Sequence, residues 1–356
     1  MRVLVTGTDG YIGSVMTPYL AERGHEVVGL DTGFYRAGWL FDDRRSRPAT
    51  ITKDIRDITP DDLRGFDAVV HLAELSNDPL GEHNVEITYD INFRGSMNVA
   101  QAAKAAGVKR FVYASSCSIY GVGSNDARTE ESEPNPQTAY AECKVRCEKG
   151  MRELADESFA PTFMRNATAF GASPRMRFDI VLNNLAGLAK TTKKIEMTSD
   201  GTPWRPLVHI LDICQSVDLT LRAPADKVRG ESFNVGDDAQ NYRVREIAEI
   251  VAAAFPGCQI TFGAASADNR SYRVSFAKIR KHLPDFKCQW TAERGAFQLA
   301  QVFERIEMTP SVFNAPPFTR LLELKRLLNS GQLDDRFNWT QFDLESDRPA
   351  SRQAAE

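Results

Sequence analysis

The chain has 356 residues, 42% of them hydrophobic and 26% charged, with a net charge of −4. That length can bury a substantial core in one large domain or two, and mild acidity without a long Lys/Arg run excludes a dedicated nucleic-acid surface. No apolar stretch reaches the length of a membrane span and no charged, apolar leader precedes the first strand, so a cytoplasmic protein without membrane contact is expected, its six scattered cysteines (117, 143, 147, 214, 258, 288) free thiols.

The apolar run Val3 to Val5 meets glycine at once, and behind Gly13 the residues Val15, Met16, Tyr19 and Leu20 recur at helical spacing. This reads as strand, tight turn, helix. Gly7 makes the turn, Gly10 bares backbone for a pyrophosphate, and Gly13 lets helix pack closely on strand. The unpaired amides and positive dipole end that open such a helix suit a dinucleotide's phosphates. A second strand, Glu26 to Leu30, leads to Asp31, placed about 20 residues beyond the loop to accept both adenosine ribose hydroxyls. No Arg or Lys follows until Arg36, so a 2'-phosphate would face a carboxylate and the cofactor is read as NAD rather than NADP. The competing reading is a nucleotide-free strand-turn-helix with an ordinary capping acid.

From residue 27 to about 165, apolar strands and amphipathic helices alternate, which predicts an α/β fold with helices on both faces of a parallel sheet. Further strands are expected at Ala49 to Thr52, Ala68 to Leu72, Arg110 to Ser115 and Thr162 to Arg165. Asp54 and Ile55 follow the third strand, where a carboxylate and an apolar side chain can hold an adenine edge or simply end an exposed turn. His71 closes the fourth strand and receives no role. A helix is expected over 88 to 106, interrupted by Asn92, Gly95 and Ser96, and an Asn facing the sheet there needs a backbone carbonyl or water as partner. The next strand ends in the hydroxyls of Ser115 and Ser116. Pro134 and Pro136 then deliver a helix over 139 to 154 in which Cys143 and Cys147, one turn apart, are expected to pack in the core rather than bind metal.

Beyond 165 the texture turns richer in Asn, Arg and Met, with helices expected at Phe178 to Ala189, within Leu207 to Arg222, and at Arg243 to Phe255, and a short strand at Phe233 to Val235. Residues 1 to 165 with about 206 to 235 are expected to form the nucleotide domain, and 166 to 205 with about 236 to 330 a smaller substrate-covering lobe. Residues 341 to 356, charged and poor in large apolars, are expected to be a disordered tail.

Tyr140 and Lys144 lie one helical turn apart on one face. A free phenol ionises near 10 and is a poor base at neutral pH, but a fixed ammonium favours the phenolate and brings a usable base toward working pH. Ser116, at a strand's carboxyl end, can share a hydrogen bond with the same substrate oxygen.

Taken together, Thr6-Gly-x-x-Gly-x-x-Gly13, Asp31, Asp54-Ile55, His71-Leu-Ala73, Asn92, Ser115-Ser116 before Tyr120-Gly121, Tyr140-x-x-x-Lys144 and Asp200-Gly-x-x-x-Arg205 resemble an extended short-chain dehydrogenase/reductase of the nucleotide-sugar epimerase/dehydratase family, over roughly residues 1 to 280. The resemblance implies a Rossmann doubly wound sheet with a smaller C-terminal substrate-binding lobe. It implies a Ser116, Tyr140, Lys144 triad, and NAD contacts from Gly7, Gly10, Tyr11, Ile12, Gly13, Asp31, Asp54, Ile55, Leu72, Ala73, Asn92, Ser115, Tyr140 and Lys144. For the substrate it implies Ser116, with Asn184 and Arg205 at the diphosphate, a task suited to a bidentate guanidinium. Arg270 is read either as a second clamp or as a surface ion pair. No metal is implied, and a homodimer is, through a four-helix bundle of the 88 to 106 and 139 to 154 helices that would cover Met97, Ala100 and Met151.

Departures choose among the family's activities. Ser116-Cys117-Ser118 stands where related dehydratases carry Thr-Asp-Glu and related decarboxylases a Glu, and Cys117 lies three residues from Tyr120 rather than at the spacing of a cysteine acid/base. Epimerisation of a nucleotide-diphosphate sugar at C4 through a 4-keto intermediate is therefore expected. An NAD(P)H-dependent 4-keto-sugar reductase and a non-catalytic Rossmann-fold regulator are the competing functions. Thr168, in place of an Asn common among epimerases, leaves the sugar open.

Overall fold

The structure, a computed structural model, describes residues 1–42, 48–76, 84–122, 126–264 and 271–340. Arg270 and the 341–356 tail lie outside the described residues. The first half alternates β1 (Arg2–Thr6), α1 (Gly13–Glu22), β2 (Glu26–Asp31), β3 (Thr50–Thr52), β4 (Ala68–His71), the long helix α2 over 85–105, β5 (Arg110–Ser116), α3 (Ala139–Glu153) and β6 (Ala160–Asn166). After an excursion the chain returns through α5 (Ile210–Arg222) to β10 (Ser232–Val235). These strands form one seven-stranded parallel sheet in the order β10-β6-β5-β4-β1-β2-β3. The order reverses between β1 and β4, which opens a crevice at the carboxyl ends of those strands.

Alternation along each strand explains the two layers. Val3, Val5 and Val70 turn to one face, where Val15 and Met16 of α1 and Ile213 and Val217 of α5 cover them. Leu4, Val69, Phe111 and Phe163 turn to the other and meet Val99 and Ala100 of α2 and Cys147 and Met151 of α3. Ala100 and Met151 are thus fully buried within the chain itself, and the expectation that a partner subunit covers them is not met, because the sheet already does. No described helix is long and apolar enough to cross a membrane.

The helix α2 has three sections: an α turn Val85–Thr88, a π section Tyr89–Gly95, and Ser96–Ala105. The wider π turns fall where Asn92 and Gly95 break the apolar pattern. The Asn92 amide spans the gap to the chain after β4, accepting from the Leu75 amide at 2.8 Å and donating to the Leu75 carbonyl at 3.0 Å. The Cys147 thiol donates to the Asn92 carbonyl at 3.3 Å and the Cys143 thiol to that of Thr88, so both cysteines serve as core packing and fill loosened backbone positions.

The excursion after β6 holds β7 (Thr168–Phe170), α4 (Val181–Thr192), β8 (Lys194–Met197) and β9 (Trp204–His209). After β10 come β11 (Asn241–Arg243), α6 (Val244–Ala254), β12 (Gln259–Phe262) and α7 (Ala292–Arg305). They make a three-stranded sheet, β11-β9-β7, and a β12-β8 pair, joined to the main core through Tyr11, whose hydroxyl donates to the Gly171 carbonyl at 2.8 Å and accepts from Asn183 at 3.2 Å.

The last described segment departs from the expected lobe. Helix α8 (Arg320–Asn329) buries Leu324 and Leu327 in the same core as Leu4, Leu30 and Phe34. The chain then runs on to set Phe337 edge-on against Phe34 and Trp339 tilted against it, with the Trp339 indole donating to the Thr32 carbonyl at 2.8 Å. Residues 320 to 340 therefore strap the β2–β3 side of the nucleotide half. Their Leu and aromatic positions join the same apolar core that α2 and α3 cover further along the sheet.

Candidate functional site

A cavity of about 490 Å³ occupies the crevice at the β1/β4 reversal. Its floor is the glycine turn. Gly7 takes φ +76°, and a Cβ there would sit 2.8 Å from the Ala73 nitrogen; a Cβ on Gly13 would stand 2.0 Å from the Gly7 carbonyl oxygen. Only bare backbone lets β1, the turn and α1 close this tightly. The Gly10 amide donates to the Gly7 carbonyl at 3.1 Å, but helix α1 begins without a side-chain cap, so the amides of Tyr11, Ile12 and Gly13, all in the cavity lining, are ready for an anion.

At one end stands Asp31, accepting from the Gly33 amide at 2.7 Å and the Asp9 amide at 2.9 Å. Burial, then the neighbouring Asp9 charge, pushes its pKa up to about 6 against those two donors. Asp54 and Ile55 line the same end, Asp54 being held by Arg56 at 2.8 Å. Phe34, Tyr35 and Arg320 complete the wall, with the Arg320 guanidinium 4.0 Å above the Tyr35 ring.

The other end gathers the carboxyl terminus of β5 and the first turn of α3. Ser115, Ser116, Ser118, Tyr140 and Lys144 all line it. Thr138 caps α3 by accepting from the Ala141 amide at 3.2 Å, which fixes the turn that carries Tyr140. Lys144 lies 5.3 Å from the Tyr140 ring centre. Its ammonium donates to the Ala114 carbonyl and pairs with Glu74 at 2.6 Å, the two side chains being only 4% and 3% exposed. Burial opposes the ammonium, yet Glu74 and then Tyr140 more than offset it, so Lys144 holds its proton more firmly than a free lysine. The Ser116 hydroxyl accepts from the Ser118 amide at 3.1 Å, while Ser118 Oγ and Asn166 Oδ1 are buried without a hydrogen-bond partner among the described residues and both residues line the cavity.

Of the residues expected at the cofactor, Gly7, Gly10, Tyr11, Ile12, Gly13, Asp31, Asp54, Ile55, Leu72, Ala73, Ser115, Tyr140 and Lys144 meet in this one lining. Asn92 stands outside it, its amide engaged with Leu75. Ser116 is inside, whereas Asn184, donating to the Phe178 carbonyl at 2.8 Å, and Arg205, donating to the Trp204 carbonyl at 2.9 Å, lie outside the lining. Cys117 faces the core, fully buried, its thiol donating to the Arg165 carbonyl at 3.1 Å and its pKa driven well up by burial. His71 bridges Thr6 at 2.8 Å and Ser96 at 2.9 Å, and burial, then the Lys144 cation, keeps it neutral with a pKa near about 3.

Sequence reasoning missed Glu74, Ser118, Asn166, Arg177, Asp179 and Arg320 among the lining residues. Arg177 pairs with Asp179 at 2.8 Å and donates to Ser76 at 3.0 Å. The only available signal was position: Glu74 directly follows His71-Leu-Ala73, and Ser118 and Asn166 follow strand ends.

Residues 3–236 match the sequence profile of the NAD dependent epimerase/dehydratase family. The UDP-glucose 4-epimerase of Mycolicibacterium smegmatis is 31% identical over 266 residues, covering 71% of this chain and 82% of that protein. The UDP-glucose 4-epimerase of Bacillus subtilis is 25% identical over 331 residues, covering 83% and 93%. Among solved structures, the dTDP-glucose 4,6-dehydratase DesIV from Streptomyces venezuelae, with NAD and TYD bound, superposes with a TM-score of 0.75 at 24% identity, over 86% of this chain and 97% of that one. At that identity the likeness speaks for the fold. The profile match spans most of the chain, and the glycine turn it includes forms a cavity that fits a dinucleotide: the chain belongs to the NAD-dependent epimerase/dehydratase family, with NAD as its cofactor.

Proposed function

We propose that the protein epimerises a nucleotide-diphosphate sugar at C4. The observation that carries this reading is that Tyr140, Ser116 and Lys144 open on the same cavity as the glycine turn, while the 116–118 segment presents Ser118 there and no carboxyl group with which to eliminate water. Bound in the cavity, NAD supplies a hydride acceptor that returns what it takes. The Tyr140 phenolate removes the C4 hydroxyl proton, and the Ser116 hydroxyl donates a hydrogen bond to the same oxygen. The Lys144 ammonium stabilises the phenolate before that transfer; Tyr140 then holds the proton as a neutral phenol while the 4-keto sugar turns its other face, and gives it back to the C4 oxygen, becoming the phenolate again.

Incubation with UDP-, GDP-, CDP- and dTDP-hexoses, followed by NMR of the products, tests the reading. A C4 epimer formed without net change in NAD supports it. A 4-keto-6-deoxy product would make the protein a dehydratase, and stoichiometric consumption of reduced cofactor a reductase.

The same reading gives Asp31 the adenosine ribose. Two ribose hydroxyls need the charged acceptor, and Asp31 takes a proton as the pH falls through about 6. NAD affinity is therefore expected to be flat above that pH and to weaken below it. Asp31→Asn is expected to bind NAD more weakly and without this pH dependence. Calorimetric titration between pH 5 and 8 reads both, and equal slopes in the two proteins would remove Asp31 from the ribose.

A further inference from the structure

A buried carboxylate sits behind the base and no step above uses it. Glu74 Oε2 is 2.6 Å from Lys144 Nζ, and Glu74 Oε1 accepts from the Tyr113 hydroxyl at 2.6 Å and the Ser96 hydroxyl at 3.3 Å. Tyr113 lies under the same ammonium, its ring centre 4.6 Å from Nζ. Glu74 is thus fixed by neutral donors from β5 and α2 and, among the described residues, has one charged neighbour at bonding distance, the lysine that faces Tyr140. A buried charge pair costs desolvation that a surface pair does not, and in a site its worth lies in what it does to a third group.

We propose that Glu74 is a positioning residue that anchors the Lys144 ammonium and, by cancelling part of its charge, sets the pH at which the Tyr140 phenol ionises. Two consequences follow from electrostatics. A bare ammonium beside Tyr140 would pull its ionisation far down and weaken the phenolate as a base. A partly neutralised one leaves a stronger base and keeps the lysine charged inside the protein. The other titratable or charged groups around the pair are His71 of β4, neutral and hydrogen-bonded on both nitrogens, Tyr113 of β5, Cys143 and Cys147 of α3, whose thiols burial keeps protonated, and Arg177, whose charge also reaches Tyr140. Glu74 is the carboxylate bound directly to Lys144.

This inference rests on the assignment of Tyr140 as base, but its test reads ionisation without turnover. The phenolate absorbance of the NAD-loaded protein is titrated with pH and the trace of Tyr140→Phe in the same background is subtracted, which isolates Tyr140. In Glu74→Gln the counter-charge is gone while size and polarity stay, so Tyr140 is expected to ionise lower by about one pH unit or more, the effect of one charge several ångströms away at an intermediate dielectric. Glu74→Asp keeps the charge and is expected to stay close to wild type even if its rate falls. Tyr113→Phe removes a donor to the carboxylate, so its charge is no longer shared with Tyr113 and is felt more fully at Lys144, and the variant is expected to shift Tyr140 the opposite way, upward. That variant decides alone should Glu74→Gln not fold. An unmoved or upward-shifted Tyr140 in Glu74→Gln, or no shift in Tyr113→Phe where Glu74→Gln does not fold, overturns the proposal. Full turnover in Tyr140→Phe would instead overturn the base and leave this titration standing.

Discussion

Tyr140→Phe is expected to lower turnover about 100- to 10,000-fold, the usual worth of a positioned acid-base group, while NAD binding stays nearly intact. The ring keeps its place in the first turn of α3, and only the proton acceptor is lost. Single-turnover rates and cofactor titration on the same preparation check both halves. Lys144→Ala should lose rate and cofactor affinity together, and the structure adds a cost invisible in the sequence: it strands Glu74, 3% exposed, without its counter-ion. A drop in melting temperature must therefore accompany the kinetic loss in that variant. Ser116→Ala should be milder, since one neutral hydrogen bond is worth about 1 kcal/mol net, with somewhat more if it strengthens in the transition state. Turnover of Tyr140→Phe within a few-fold of wild type would mean a different base. Cys117 is then a poor candidate, because its thiol is buried away from the cavity; Glu74 becomes the first to test.

The largest effect on stability is expected at Glu148, behind the site. Its carboxylate takes the Arg165 guanidinium at 2.9 and 2.7 Å, the Ser115 hydroxyl at 2.5 Å and the Ser232 hydroxyl at 3.1 Å. The Arg165 and Glu148 side chains are 7% and 4% exposed. Glu148→Ala leaves a buried guanidinium whose remaining partners are the Tyr120 hydroxyl and the Glu130 carbonyl, and breaking such a pair costs about 3–5 kcal/mol. Glu148→Leu with Arg165→Met removes both charges and is expected to recover most of that loss. Chemical denaturation of the three proteins checks this. A single variant as stable as wild type would mean that Arg165 reaches water or another acceptor once Glu148 is gone.

How far the sequence could be read depended on the range of the interaction. Val3 to Gly13, Asp31 and the strands at Ala68 and Arg110 were legible because strand alternation, helical spacing and the turn glycines are dictated by neighbouring backbone. The fourfold spacing of Tyr140 and Lys144 places them one helical turn apart wherever the helix packs. These patterns by themselves specified a parallel sheet with helices on both faces and the glycine turn that floors its crevice, while the doubly wound order was implied by the family resemblance.

Contacts between distant segments were decided only by the tertiary structure. Glu74 meets Lys144 across 70 positions, and nothing local to either residue announces a partner, since their meeting depends on the register of β4 against β5 and on the rotation of α3. Packing likewise turned Cys117 into the core, engaged Asn92 with Leu75, buried Ala100 and Met151 inside one chain, and carried residues 320 to 340 back over Phe34. In each case a side chain's chemistry was visible in the sequence while its direction was not, because direction is set by which apolar face the rest of the chain leaves to be covered.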